Sequence, residues 1–189
     1  MAHTKENTAL LVLDMQEVLL STLPGADKLT TPIANAIAHA RGNNLPVVYV
    51  AVGFKKGFPE IHPDHRTFGK LPATMGSVPP EVMTKILPAL APQNNEPVVI
   101  KKRFSAFAGS DLEMILRSQG IRHLVLCGVI TSGVVLSTAL EAADKDFNIT
   151  ILSDGCLDRD EELHEVLMRK LFPKYMEVMS SEGWISQSS

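Results

Sequence analysis

Apolar residues run almost unbroken through Thr8-Ala-Leu-Leu-Val-Leu-Asp14 and stop at a carboxylate, the pattern of a strand buried on both faces. Strands of that kind belong to parallel sheets, where helices cover both sides. After Pro24-Gly25, residues Asp27 to Arg41 place Leu29, Ile33, Ala36, Ile37 and Ala40 along one helical face, and Gly42-Asn43-Asn44 ends the helix. Leu45 to Val52 reads as a second buried strand. The alternation then recurs as strand Pro97–Lys101, helix Asp111–Gln119, strand His123–Cys127, helix Ser132–Lys145, strand Asn148–Leu152 and helix Asp160–Leu171, with a last strand at Tyr175–Met179. Strands alternating with helices of this length predict right-handed βαβ crossovers and a three-layer α/β/α architecture.

In such sheets ligands bind beyond the carboxyl ends of the strands, near the point where strand order reverses. The residues that follow the apolar runs are Asp14, Gly53, Lys101, Gly128 and Asp154. Between Gly53 and Pro92 the rhythm breaks into a stretch rich in Pro and Gly, with no long periodic segment before Val82–Leu90. Connections of that length are lids or irregular loops. Without a repeat, a low-complexity tract or a clear linker, residues 1–189 read as one domain.

Composition narrows the function classes. The chain has 189 residues, 45% of them hydrophobic and 21% charged, as expected of a folded soluble protein. Its net charge of -3, with two Tyr and one Trp, supplies neither the basic field nor the stacking platform that nucleic acid requires. No stretch reaches the roughly 18 to 20 apolar residues that span a bilayer, and Met1 to Asn7 lack the apolar core of a signal peptide. The expectation is a cytoplasmic protein with no nucleic-acid or membrane partner. Cys127 and Cys156 show no CxxC spacing, which fits a reducing compartment.

Candidate chemistry centres on Asp14 and Lys101. A carboxylate and an ammonium arriving at strand ends after apolar runs are desolvated, and each favours the charged form of the other. The pair serves either catalysis or an ordinary ion pair, with Lys102 rather than Lys101 turned inward in the second case. Thr131 and Ser132 read as N-caps of the helix they open, whose free N–H groups attract anions. Cys127 reads as a core residue, and Cys156 as a buried inert thiol in preference to a displaced nucleophile. His62-Pro-Asp-His65 reads as a solvated loop rather than a metal site. Phe104 and Phe107 are candidate pocket walls with Gln16, and Phe54, Phe58 and Phe68 are expected exposed on the long loop, where they would cover a neighbouring subunit.

Leu11-Val12-Leu13-Asp14-Met15-Gln16, then Lys101-Lys102-Arg103-Phe104-Ser105-Ala106-Phe107, then Gly128-Val129-Ile130-Thr131-Ser132-Gly133-Val134-Val135-Leu136-Ser137-Thr138-Ala139 together resemble the isochorismatase-like hydrolases, also called the cysteine hydrolase superfamily. The resemblance spans about Thr8 to Met179. It implies a Rossmann-like six-stranded parallel sheet, a small-molecule substrate, no cofactor, a homo-oligomer, and an Asp–Lys–Cys triad in which Asp14 and Lys101 hold the first two places. The nucleophilic Cys falls at Val134, so the resemblance is to a branch without it, and the covalent thioester route is closed. Hydrolysis of a vinyl ether, the isochorismatase reaction, needs only proton donation and water, with Asp14 as general acid and Lys101 orienting it or a substrate carboxylate.

The resemblance further implies a cis peptide at Val129–Ile130, with Val129, Ile130, Thr131 and Gly133 framing a pocket or oxyanion hole. Two departures bear on the substrate. Ile130-Thr131-Ser132 stands where isochorismatases carry an aromatic-Ala-His. Val52-Gly53-Phe54 stands where metal-binding members carry Asp-x-His, so no metal is expected. The reading is a hydrolase of a small anionic substrate, with a catalytically silent binding or interaction protein as its alternative.

Overall fold

A computed structural model describes residues 7–187. Six parallel strands form one sheet: β1 (Thr8–Leu13), β2 (Val47–Val52), β3 (Val98–Lys101), β4 (His123–Val129), β5 (Asn148–Leu157) and β6 (Glu177–Met179). Among the described residues eight α-helices accompany them: α1 (Glu17–Leu20), α2 (Thr30–Gly42), α3 (Leu71–Met75), α4 (Pro80–Met83), α5 (Leu112–Ser118), α6 (Leu136–Asp144), α7 (Glu161–Val166) and α8 (Ser181–Gln187). The unbroken apolar run of β1 is explained by its two partners. Ala9, Leu11 and Leu13 pack with α5 and α6, whereas Leu10 and Val12 pack with α2 and Trp184 of α8. This is the three-layer α/β/α arrangement that the strand–helix alternation predicts.

The strand order is β3-β2-β1-β4-β5-β6. From β1 the chain builds outward to β3, then returns to β4 on the other side and builds outward again. The switch point therefore lies between the carboxyl ends of β1 and β4. Closure there depends on Gly128, which pairs with Leu13 at φ 128°. A Cβ on Gly128 would lie 1.9 Å from the Leu13 carbonyl oxygen. Gly128→Ala is expected to lower stability by about 3 kcal/mol or more, through backbone displacement and an unfavourable φ. A urea midpoint equal to that of the unmodified chain would show that the two strands can part at no cost.

Several elements differ from their predicted bounds. The single helix predicted over 132–145 is a wide turn at 131–135 followed by α6, and the helix predicted over 160–171 is α7 followed by a second wide turn. β5 continues beyond Leu152, its register with β4 jumping from Leu126↔Ile151 to Gly128↔Cys156. Within the resulting bulge Asp154 turns to the start of α8, where its carboxylate accepts from the Ser181 N–H and hydroxyl at 2.7 Å each. The Val82–Leu90 segment divides into the end of α4, an extended stretch paired with Met15–Glu17, and a short turn opened by Pro88.

The long connection between β2 and β3 is where the expectation of exposed aromatics fails. Phe54, Phe58 and Phe68 are buried with Met83 in a small core of their own. Ring centroids lie 5.7 Å apart for Phe54–Phe58 and 5.9 Å for Phe54–Phe68. In a segment without long helices these rings find shelter in one another rather than in a neighbouring subunit.

Candidate active site

Asp14 follows the last residue of β1 and adopts φ 52°, a left-handed conformation that Asp tolerates better than most side chains. Its N–H donates to the Val50 carbonyl at 2.8 Å, and its own carbonyl accepts from the Gln16 N–H at 2.8 Å. Lys101 ends β3, two strand spacings or roughly 10 Å from β1. Its stem passes over β2, so that Nζ donates to Asp14 Oδ2 at 2.9 Å and to the Arg103 carbonyl at 3.0 Å. Lys102 does not compete for this place, because its ammonium donates to the Gly53 carbonyl at 2.7 Å.

The pair is sealed, with Asp14 2% and Lys101 1% exposed. Asp14 Oδ1 is buried and has no hydrogen-bond partner among the described residues. Burial raises the Asp14 pKa from 3.8 to about 6, overriding the attraction and hydrogen bond of Lys101, which lower it. The folded chain thus holds this proton where the unfolded chain has released it, and the stability contributed by Asp14 falls as pH rises from about 4 to about 6. Lys101→Met removes the opposing influence and is expected to raise the Asp14 pKa by about one unit or more. A ¹³C titration of the side-chain carboxyl checks this, and a midpoint that does not move would mean the ammonium has no hold on the carboxylate.

Across the switch point, β4 ends in the cis peptide Val129–Ile130 and the wide turn 131–135. The Ile130 carbonyl accepts from the N–H groups of Gly133, Val134 and Val135 at 3.3, 2.8 and 3.1 Å. Such widened turns recur at functional sites. Val129 and Val134 are buried among apolar residues. Gly133 faces Phe104, since a Cβ there would be 3.5 Å from the ring. Contrary to the expectation from sequence, Thr131 and Ser132 do not cap the helix with their side chains. Ile130 holds the capping position in extended conformation, and the Ser132 N–H donates at 2.6 Å to the carboxylate of Asp158, which follows β5. A helix start expected to attract a free anion is thus already served by an internal one. The Thr131 hydroxyl meets His164 Nδ1 of α7 at 2.9 Å.

The three expected wall residues have separate fates. Gln16 is a clip: its amide accepts from Val52 N–H at 2.8 Å and donates to the Val52 and Met83 carbonyls at 3.0 and 2.5 Å, joining the end of β2 to the long connection. Phe107 stacks on Phe147 within the core, ring centroids 6.0 Å apart. Phe104 bridges Gly133 and Phe68, the latter at 4.9 Å, and keeps one face in solvent. Arg103 lies over Phe68 and donates to the Glu60 carbonyl at 2.7 Å, so residues 102–104 hold the long connection down beside Lys101.

Both thiols are buried, and burial is the main cause that pushes Cys156 up to about 12 and Cys127 well above its ordinary value. The charged or polar groups acting on Cys156 are the Gly128 backbone and Asp154, neither of them part of the Asp14–Lys101 pair. In the His62–His65 segment, His65 Nδ1 accepts from the Thr67 and Phe68 N–H groups, a turn-forming role. No group of three metal-binding side chains gathers among the described residues. Asp158, His164 and Arg103 escaped the sequence reading. Arg103 adjoins the Lys101 motif, but Asp158 and His164 lie about thirty residues beyond the turn they serve, where only the fold brings them in.

A family model of the isochorismatase domain matches residues 8–183. The isochorismatase family protein YecD of Escherichia coli O157:H7 is 33% identical over 183 residues, covering 94% of this chain and 94% of the relative. The ureidoacrylate amidohydrolase RutB of Azorhizobium caulinodans is 30% identical over 176 residues, 79% of this chain and 76% of that protein. An isochorismatase family protein of Burkholderia thailandensis superposes with a TM-score of 0.82 at 25% identity, with 99% of this chain and 97% of that chain covered. No helix among the described residues is long and apolar enough to cross a membrane.

Proposed function

The chain belongs to the isochorismatase family, and from that premise we propose that it is a hydrolase of a small anionic substrate in which Asp14, beside Lys101, does the acid and base work without a cysteine nucleophile. The observation that carries this reading is the buried, unpartnered Oδ1 of Asp14, on a carboxyl whose pKa is about 6. An oxygen in that state is matched to proton transfer near neutrality. The amidohydrolase named among the relatives stands for a second kind of reaction. By the covalent route such chemistry needs a thiolate, and position 134 holds a valine while both thiols of this chain stand apart in the core.

Hydrolysis of a vinyl ether needs no protein nucleophile. Asp14 gives its proton to the terminal enol-ether carbon, the adjacent carbon becomes an oxocarbenium centre, and water adds there. The released proton returns to Asp14, and the hemiketal breaks into a ketone and an alcohol. Lys101 holds the carboxyl in place and carries one N–H beyond the two engaged by Asp14 and Arg103, which serves a substrate carboxylate. The unit that does this is a single domain over residues 1–189, in the cytoplasm. Homo-oligomerisation remains part of the proposal on the family likeness alone, since Phe54, Phe58 and Phe68 face inward.

Pyruvate release from isochorismate, followed across pH, tests the reading. As a general acid Asp14 gives a kcat/KM that is level below about pH 6 and falls tenfold per unit above it. A limb that rises through the same region would assign it as the base, and no pyruvate at any pH would remove this substrate. The valine at position 134, where the family's nucleophile falls, favours a second reading, a catalytically silent binding or interaction protein. Tight binding of a small acid without turnover of isochorismate or of a panel of small amides would establish it.

A further inference from the structure

Two side chains from the β5–α7 region act on the turn 131–135 and have no part in the chemistry above. Thr131, the first residue after the cis peptide, is fully buried, and its Oγ1 lies 2.9 Å from His164 Nδ1. Ser132, the next residue, donates its N–H to Asp158 Oδ2, while Asp158 Oδ1 accepts from the Asp160 N–H at 3.2 Å. Asp160 Oδ1 in turn accepts at 2.9 Å from the N–H of Leu163, the residue before His164, and so caps α7. The loop and helix form a bracket closed on itself by hydrogen bonds. Its two ends grip the two residues that enter the turn.

A fully buried hydroxyl without a partner is costly, so the imidazole decides where Thr131 rests. A shift of Thr131 carries Gly133 and Val134 with it, because all follow within one turn whose N–H groups converge on the Ile130 carbonyl. We propose that His164 is a positioning residue of the site: through its hydrogen bond to the Thr131 hydroxyl it fixes the turn that carries position 134. The inference rests on the site assigned above. His164 touches neither reacting carboxyl nor ammonium, and it acts through Thr131.

V134C supplies a reporter that needs no substrate. Its thiol, at the start of a helix and, on the site assigned above, beside Asp14 and Lys101, is expected to react with iodoacetamide faster than Cys127 and Cys156, whose buried thiols ionise only far above neutrality. In the full chain, adding H164F is expected to slow alkylation at position 134 about tenfold, the loss of one buried hydrogen bond. H164N, whose amide can occupy the place of Nδ1, restores the rate to within about threefold. T131V slows alkylation as H164F does, T131S does not, and T131V combined with H164F is no slower than either alone, as required of two residues acting through one bond. Unchanged reactivity in H164F, or additive losses in the pair, would overturn the proposal. If V134C is itself inert to the reagent, the assignment of position 134 to the site fails instead. The role of His164 is then decided by amide hydrogen exchange over Ser132–Val135, expected about tenfold faster in H164F and, if equal to the unmodified chain, overturning it.

Discussion

Asp14→Asn is expected to lower kcat/KM for pyruvate release by about 10²- to 10⁴-fold, the range for removal of a positioned acid or base. The amide keeps the shape of the carboxyl and loses its proton. It also leaves the Lys101 ammonium buried without a counter-ion, since that side chain is 1% exposed and its other contact is the neutral Arg103 carbonyl. Breaking a buried pair from one side costs about 3 to 5 kcal/mol. A loss of activity by itself therefore cannot separate chemistry from unfolding. Asp14→Asn combined with Lys101→Met makes the separation, because it leaves no buried charge unpaired and Asn, like Asp, tolerates the left-handed φ of 52° at that position. The double variant is expected to unfold in urea near the midpoint of the unmodified chain while releasing no pyruvate. Full turnover in Asp14→Asn would remove the carboxyl from the reaction.

Val134→Cys is the second large effect, in the direction of gain. The new side chain has nearly the volume of the old and, on the site proposed above, joins a carboxyl of pKa about 6 that can take a proton from a thiol of ordinary pKa near 8.5. Hydrolysis of a small amide or activated ester is expected at least about tenfold above the unmodified chain, equal to 1.4 kcal/mol of barrier. A burst of product equal to the protein concentration would mark the acyl intermediate. Reactive thiol without turnover would mean that the carboxyl cannot serve as base there.

The fold was legible because β1 announces itself: six residues that are all buried, on both faces, leave a continuous apolar run that only a central parallel strand requires. Lys101 was legible for the same reason, as the first charge after an apolar strand. The aromatics of the long connection misled, because burial there comes from four side chains meeting across irregular backbone, and no period in the sequence records such a meeting. Local rules make Thr131 and Ser132 caps, whereas the groups that serve their hydroxyl and N–H come from His164 and Asp158. Gln16 looked like a wall by its nearness to Asp14. Its amide is spent on three backbone bonds, a use that depends on where Met83 arrives. Local pattern fixes what each segment becomes, while partners across the fold fix what each polar atom does.

The small aromatic core of the β2–β3 connection has an evolutionary consequence. A segment that supplies its own interior, and is fastened to the sheet through Gln16, Lys102, Arg103 and Phe104, behaves as an interchangeable module. Drift or exchange within it can reshape what reaches the buried carboxyl while the six strands keep their sequence. Diversity of substrate in proteins built this way would accumulate in that cassette and leave the sheet a common chassis.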